Sequence, residues 1–422
     1  MTVAAIIEWH EGGASRQALW RSEAGAPAPR RVMLADDTLA ADAAYRLACE
    51  GTALLWRGDF QNARQLLQAM ARRVTGRAGG GRKSGADPKG GGKRPPKTAP
   101  HPQQVAGAGM GPGATALPAA AAAFHLHRQA QAQRARVLGQ LLIELQPDRR
   151  IALRRAPDLR DACAGAWGAV EATPETGTVV SLRELLGIVG AHEWRKAGVP
   201  VAALQGTGDG RIHPHYGVFS PVRGEYVDLV ARAPLPLTDL AMDVGTGTGV
   251  LAAVLAHRGV RRVIATDQDP RALACAQDNI HRLGLAGRVD IVQADLFAPL
   301  ALTGPVPLIV CNPPWVPARA NSPIEHAVYD PDSRMLRGFL AGLAAHLAPD
   351  GEGWLILSDL AEHLQLRPRE QLTGWIEAAG LQVLGRLDAR PQHPKAADPG
   401  DPLYRARAAE VTSLWRLAAR SG

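Results

Sequence analysis

The string Asp243-Val244-Gly245-Thr246-Gly247-Thr248-Gly249 closes the apolar run Leu240–Val244 and leads straight into a second apolar run, Val250–Ala256. Glycines at three alternate positions end the strand in a turn whose bare backbone can approach a ligand, and the helix that follows points its N-terminus at the same place. Strand, glycine-rich turn and helix in that order open a wound α/β sheet. The chain beyond keeps the alternation. Strand-like runs at Arg262–Asp267, Val289–Asp295, Leu308–Asn312 and Trp354–Ser358 are interleaved with helical segments from Gly249, from Pro270 to about Leu283, and over Ser333–Leu347. Leu381–Arg390 and Glu410–Leu417 have no convincing helix between them and are expected to pair as an antiparallel hairpin.

The expected fold class is therefore α/β: a Rossmann-like, doubly wound, seven-stranded, mostly parallel sheet with an antiparallel C-terminal hairpin, preceded by a mainly helical N-terminal domain. At 422 residues with 46% hydrophobic content the chain is long enough for more than one core. Helix signals upstream are Asp59 ahead of Phe60, Ala63, Leu66, Leu67 and Met70, the apolar series Val137, Leu138, Leu141, Leu142 and Leu145, and the capping box Ser181-Leu182-Arg183-Glu184. Val199–Leu204, the turn Gly206–Gly210 and Arg211–Phe219 read as a hairpin leading into the second domain. The domain expectation is 1–77 with 124–198 as the helical unit, 78–123 as a disordered basic insertion rich in Gly, Pro and Ala, and 199–422 as the catalytic unit with its leading hairpin.

The net charge of +8 is concentrated in that insertion and the residues just before it. From Arg72 to Lys97 nine cations (Arg72, Arg73, Arg77, Arg82, Lys83, Lys89, Lys93, Arg94, Lys97) face one acid, Asp87, so 9 − 1 = +8 and the rest is formally neutral. A solvated linker and an arm that neutralises nucleic-acid phosphates both fit such a segment. The cysteines Cys49, Cys163, Cys275 and Cys311 form no C-x-x-C pair, so neither a zinc ribbon nor a disulfide framework is expected. No signal peptide and no membrane span are expected, and the location expected is cytoplasmic. No metal is expected either, since His213 and His215 have no visible partner set.

Acids at strand ends carry the next step. The spacing is D-x-G-x-G-x-G rather than G-x-G-x-x-G, and Asp243, two residues before the first glycine, would sit badly against a pyrophosphate but well beside a cationic ligand group. Asp267 closes the second strand of the unit and Asp295 the third, just before Leu296-Phe297. A carboxylate at the second strand end can accept from both hydroxyls of a ribose. After the fourth strand comes Asn312-Pro313-Pro314-Trp315, in which two prolines stiffen a turn bearing a side-chain oxygen and a main-chain oxygen, with an indole beside them. That turn can hold the N–H groups of a planar nitrogen. A nicotinamide-dependent oxidoreductase is disfavoured by both the glycine spacing and this turn.

Taken together, these motifs resemble the class I S-adenosylmethionine-dependent methyltransferases, and among them the methyltransferase small-domain superfamily, over about Val199 to Leu417. Tyr216-Gly217-Val218-Phe219-Ser220-Pro221 with Arg223 and Glu225 resembles the leading segment of release-factor glutamine N5-methyltransferases, and Gly217-Val218-Phe219-Ser220 equally that of ribosomal-RNA guanine-N2 methyltransferases. The resemblance implies an S-adenosyl-L-methionine cofactor held by Asp243, Gly245, Thr246, Gly247, Gly249, Asp267, Asp295, Phe297 and Asn312, with catalysis by Asn312, Pro313, Pro314 and Trp315. Trp315 departs from the Tyr or Phe more usual in the family, and Asp330 stands where the glutamine enzymes carry Glu. The expected activity is N-methylation of a planar amide or amino nitrogen of a macromolecule. Protein glutamine is the first choice; a nucleobase amine (guanine N2 or adenine N6 of RNA) and a non-catalytic RNA-binding scaffold are the alternatives. Expected partners are a protein or RNA substrate, such as a ribosome or translation factor. The sequence leaves open the oligomeric state and the role of residues 391–407.

Overall fold

The computed structural model describes residues 5–78, 118–169, 176–298, 304–320, 323–392 and 397–420. Its C-terminal half is the wound sheet that the motif order implies. After a two-stranded hairpin of β7 (Val199–Pro200) and β8 (Arg211–Ile212) come α6 (Glu225–Arg232), β9 (Leu240–Val244), α7 (Val250–His257), β10 (Arg262–Asp267), α8 (Pro270–Arg282), β11 (Val289–Gln293) and β12 (Val306–Cys311). α9 (Arg334–His346), β13 (Leu347–Ser358), α10 (Leu360–His363), α11 (Arg369–Ala378), β14 (Leu381–Ala389), α12 (Tyr404–Ala409) and β15 (Thr412–Ala419) complete it. The strand order is β11-β10-β9-β12-β13-β15-β14, with β15 antiparallel to both its neighbours and the remaining pairs parallel.

Strand parity decides which residues meet which helices. Ala241, Leu308, Val310, Trp354 and Ile356 face Val227, Val254 and Ile280 on one side of the sheet. Met242, Val244, Ile309, Cys311, Leu355 and Leu357 face Leu336, Phe339, Leu372 and Ile376 on the other. Burial on both faces is why these strands are continuous apolar runs. Chain order reverses between β9 and β12, so their carboxyl ends diverge into a crevice, the usual place for a ligand in such a sheet.

The N-terminal half is not mainly helical. It is a second α/β unit of β1 (Ile6–Glu11), β2 (Ala14–Arg21), β3 (Val32–Ala35), α1 (Ala41–Cys49), β4 (Ala53–Trp56), α2 (Phe60–Ala78), α3 (Ala119–Leu138), β5 (Leu141–Leu145), α4 (Arg160–Trp167), β6 (Thr178–Ser181) and α5 (Leu182–Ala197). Six strands form a mixed sheet in the order β1-β2-β6-β5-β4-β3. Leu54, Trp56, Leu141, Ile143, Leu145 and Val180 of the sheet pack against Phe60, Met70, Val137 and Leu185 of the helices. The misreading has a physical source: Leu141, Leu142 and Leu145 continue the period of Val137 and Leu138 by coincidence, but α3 stops at Gly139 and all of Leu141, Leu142 and Ile143 are buried, as in an interior strand. Asp59 does start α2, its carboxylate accepting from Gln61 N, and Ser181 caps α5 through Glu184 N.

The expected basic insertion lies outside the described residues over 79–117. Its last residues, Ala119–Ala123, belong to α3, because a run of five alanines behind Pro118 has the strongest helix propensity available. Helix α3 then spans both halves of the molecule. Phe124, 3% exposed, packs with Val316, Leu364, Leu403 and Ala406 of the C-terminal sheet's loops. Arg128 donates to Glu325 and lies 4.0 Å above the Tyr329 ring. Phe124→Ala is expected to cost about 3 kcal/mol, read as a lower urea midpoint; an unchanged midpoint would mean that this contact adds nothing to stability.

Candidate active site

Parallel register builds the site. Thr266 is opposite Val244, and Cys311 is opposite the same Val244 on its other side. One residue further on, Asp267, Gly245 and Asn312 leave their strands at one level. They border a cavity of about 720 Å³ together with Thr246, Gly247, Asp295, Pro313, Pro314 and Trp315, within the usual size range of small-molecule and cofactor sites.

The loop over Gly245–Gly249 is held by carboxylates from two directions. Gly245, Gly247 and Gly249 all have positive φ (+74°, +56° and +79°), which any residue with a Cβ resists. From in front, Asp267 Oδ2 accepts from Gly247 N at 3.0 Å while its Oδ1 accepts from Asp269 N at 3.0 Å. Each oxygen keeps a further lone pair for a ligand, and burial pushes this carboxyl above the ordinary range. From beneath, Asp243 Oδ2 accepts from Thr246 Oγ1 at 2.6 Å and Ala252 N at 3.1 Å.

Asp243 therefore does not border the cavity as expected from its spacing. It is 1% exposed, and its Oδ1 is buried without a hydrogen-bond partner. Burial raises its carboxyl to about 6. Gly249 also stands back from the cavity: it begins α7 in the left-handed region, and a Cβ there would lie 3.2 Å from Ala276. Phe297 is the clearest departure. Its ring stacks on His346 at 4.3 Å and on Phe339 at 6.2 Å, over α9 and away from the cavity, while its neighbour Leu296 borders the cavity instead. Leu296 has φ +58°, a backbone turn that swaps which of two adjacent apolar residues faces inward. Asp295 borders the cavity but is ion-paired with Arg334.

At the Asn-Pro-Pro turn the structure adds a contact. Trp315 Nε1 donates to Asn312 Oδ1 at 2.9 Å. An indole N–H can only donate, so it fixes which atom of the Asn312 amide is the oxygen and leaves that oxygen a second lone pair. The tryptophan thus orients Asn312 as well as walling the cavity. Arg367, 1% exposed, supports the turn from behind: its Nη1 meets Ser333 Oγ at 3.3 Å and its Nη2 the Trp315 carbonyl at 3.5 Å. Asp330 caps α9, accepting from Met335 N at 2.9 Å and Leu336 N at 3.3 Å. His213 bonds Asp209 and the Arg195 carbonyl, and His215 bonds Asp278, so both brace the leading hairpin against α8. Among the described residues no cluster of His, Cys, Asp and Glu is set to hold a metal.

The far side of the cavity was not legible in the motifs. Phe124 and His127 reach it from α3, Tyr226 and Arg223 from around the start of α6, and Leu403, Arg407 and Glu410 from around α12. The segment 391–407, whose role the sequence leaves open, thus runs into α12, and its Leu403 and Arg407 border the cavity.

A family model described as the methyltransferase small domain matches residues 210–369. A release factor glutamine methyltransferase of Cereibacter sphaeroides is 36% identical over 167 residues, which is 35% of this chain and 56% of that protein. One of Moorella thermoacetica is 41% identical over 116 residues, 27% of this chain and 41% of the relative. A tRNA1(Val) (adenine(37)-N6)-methyltransferase of Shewanella loihica is 33% identical over 144 residues, 32% and 59% of the two chains. The chain spans about half the length of the curated relatives it matches, and the six-stranded N-terminal sheet lies before the matched segment. Among the described residues no helix is long and apolar enough to cross a membrane.

The buried Asp243 carboxylate has a measurable signature. Because the folded state holds the Asp243 proton more tightly than the unfolded chain does, its contribution to stability is fully present below about pH 4 and is lost as pH rises through about 6. Asp243→Asn keeps an oxygen for Thr246 and Ala252. Its stability relative to wild type should improve by up to about 3 kcal/mol between pH 4 and 7, measured by urea unfolding. Parallel pH dependences for the two proteins would contradict the buried, unpaired state of Asp243.

Proposed function

We propose that this protein is an S-adenosyl-L-methionine-dependent N-methyltransferase that acts on a planar amide or amino nitrogen of a macromolecule, with a glutamine side chain of a protein as the favoured acceptor. The observation that carries the reading is the level row of Asp267, Gly245 and Asn312 on one cavity wall. It pairs a nucleoside-binding edge with a rigid N–H-accepting turn.

The residues present fit the cofactor. A Cβ built on Gly247 would meet nothing within 4 Å and would project into the cavity, so glycine there leaves room for a ligand against the backbone. Asp267 would hold the ribose hydroxyls and Asp295 the adenine amine, the latter giving up part of its pairing with Arg334. Gly245, Thr246 and Gly247 would line the methionine end, with Asp243 acting at second hand by fixing the loop. When bound, S-adenosyl-L-methionine supplies an electrophilic methyl group.

The chain's own residues then have three tasks. Asn312 Oδ1 and the Pro313 carbonyl accept from the N–H groups of the acceptor nitrogen, which orients its weak lone pair and favours the positive charge that develops on it. Pro313 and Pro314 hold those oxygens in place beforehand, so little ordering is left to the reaction. Trp315 walls the slot and, through its indole N–H, keeps the Asn312 oxygen turned inward. The names of the bacterial relatives, two glutamine methyltransferases of release factors and one tRNA adenine methyltransferase, support a macromolecular acceptor and leave an RNA base as the second reading.

Asn312→Ala should reduce methyl transfer by at least 10³-fold, about 4 kcal/mol of barrier, while S-adenosyl-L-methionine binds as before; lost cofactor affinity would mean that Asn312 has been given the wrong task. Trp315→Phe keeps an aromatic wall but removes the orienting donor and part of the ring. Turnover should drop on the order of tenfold, and full activity would show that the indole N–H is dispensable. The substrate class follows from methyl-labelled cofactor and an extract of cells lacking the gene. Label that survives ribonuclease but not protease supports the protein acceptor, and the reverse pattern supports RNA.

A further inference from the structure

Glu410 lies at the start of β15, buried at 1% exposure, and its side chain borders the cavity. One carboxylate oxygen is committed. Ser358 Oγ donates to Glu410 Oε1 at 2.7 Å, and the same hydroxyl accepts from Leu360 N at 3.0 Å. The other oxygen, Oε2, is buried with no hydrogen-bond partner. A carboxylate oxygen in that state is costly unless something else satisfies it. Three residues earlier Arg407, also on the cavity wall, has a buried Nε with no hydrogen-bond partner; Asp401 Oδ2 stands 3.5 Å from it.

Strand order says which half of the cavity this is. Asp267 and Asp295, the cofactor-side acids, end β10 and follow β11, on one side of β9. Asn312 follows β12 on the other side. Glu410 and Ser358 lie two places and one place beyond that, at the ends of β15 and β13, where Ser358 pairs with Thr412. The reacting nitrogen sits at Asn312, so whatever meets Glu410 belongs to the methyl acceptor and not to the cofactor.

We propose that Glu410 and Arg407 read the main chain of the accepting residue, Glu410 Oε2 taking a peptide N–H and Arg407 giving a hydrogen bond to a peptide carbonyl. An extended residue turns its own N–H and C=O to the same side, and that donor and acceptor answer an acceptor and a donor that have no hydrogen-bond partner among the described residues. The pairing rests on the methyltransferase reading above and narrows it to a peptide substrate. Burial pushes the Glu410 carboxyl up, and the Ser358 hydrogen bond, then Arg223 and Arg407, oppose that rise.

Glu410→Gln is the informative variant because the fixed polarity of Ser358 dictates its outcome. The Ser358 hydroxyl accepts from Leu360 N and must donate to residue 410, so the glutamine oxygen turns to Ser358 and the NH₂ group turns to the cavity. The shape is kept and the hydrogen-bond sense is inverted. The test uses the full chain, methyl-labelled S-adenosyl-L-methionine and nuclease-treated extract of cells lacking the gene, with initial rates taken against extract concentration. Cofactor affinity is measured separately by calorimetry. Wild type should label protein, and Glu410→Gln should need at least tenfold more extract for half-saturation, with its limiting rate changed less than threefold and its cofactor Kd within twofold. Glu410→Ala, which leaves a gap that water can fill, should fall between the two. Unchanged half-saturation in both variants would overturn the role of Glu410 and leave the methyltransferase reading standing. A wild-type protein that binds cofactor, labels nothing in that extract and labels RNA in extract spared the nuclease would overturn the peptide assignment. Cofactor binding with no label in any fraction would overturn the proposed function and this inference with it.

Discussion

The parallel register of β10, β9 and β12 is the constraint on which the site depends. Fixing Val244 against Thr266 on one side and Cys311 on the other brings three loop starts to one level. No loop residue has to search for its partners. A slip of one strand by a single residue would turn its apolar set to the opposite face, out of one helix layer and into the other. The two cores, with Leu308 and Val310 on one side and Ile309 and Cys311 on the other, therefore hold the position of Asn312 as firmly as any contact that Asn312 makes itself.

Electrostatics then sets what that row can bind. Asp243 and Asp267 flank the glycine loop, both raised by burial, and among the described residues neither is paired with a cation. Their hydrogen bonds come from backbone amides and the Thr246 hydroxyl. Two poorly compensated carboxylates beside one loop stabilise a cation brought to it and disfavour a phosphate. This is the physical content of the D-x-G-x-G-x-G spacing. It also explains why Asp243 acts without touching the cavity: its field and its grip on Thr246 both operate from one layer down.

Much of the C-terminal half was legible because its signals are local. Buried parallel strands are continuous apolar runs, and the Gly245–Gly249 and Asn312–Trp315 motifs each announce a turn at a strand end. Phe297 failed because a backbone reversal at Leu296 decides which side chain faces inward, and a non-glycine residue at positive φ gives no advance sign. The N-terminal sheet failed for a different reason. Strands such as Val32–Ala35, Ala53–Trp56 and Thr178–Ser181 are four residues long, too short to show a period, and β2 pairs with β6 across most of that half. Phe124, Arg407 and Glu410 were invisible because each lies in an ordinary-looking helix or helix end, far in sequence from every motif.

Those missed residues change what kind of catalyst the geometry describes. The matched segment supplies the Asp267–Gly245 edge and the Asn-Pro-Pro turn, but the half of the cavity beyond Asn312 is bordered by α3 from the N-terminal unit and by the α12–β15 junction. Helix α3 is held there by Phe124 in an apolar cluster and by Arg128 on Tyr329 and Glu325. Tyr329 in turn bonds into the segment after Trp315 through the Val316–Tyr329 bridge. Helix α3 and the turn that holds Asn312 are thus joined by packed contacts. On the function proposed above, methyl transfer and choice of acceptor are built from different elements, so substitutions on α3 or α12 are expected to alter which acceptor is taken while the row of Asp267, Gly245 and Asn312 stays in place.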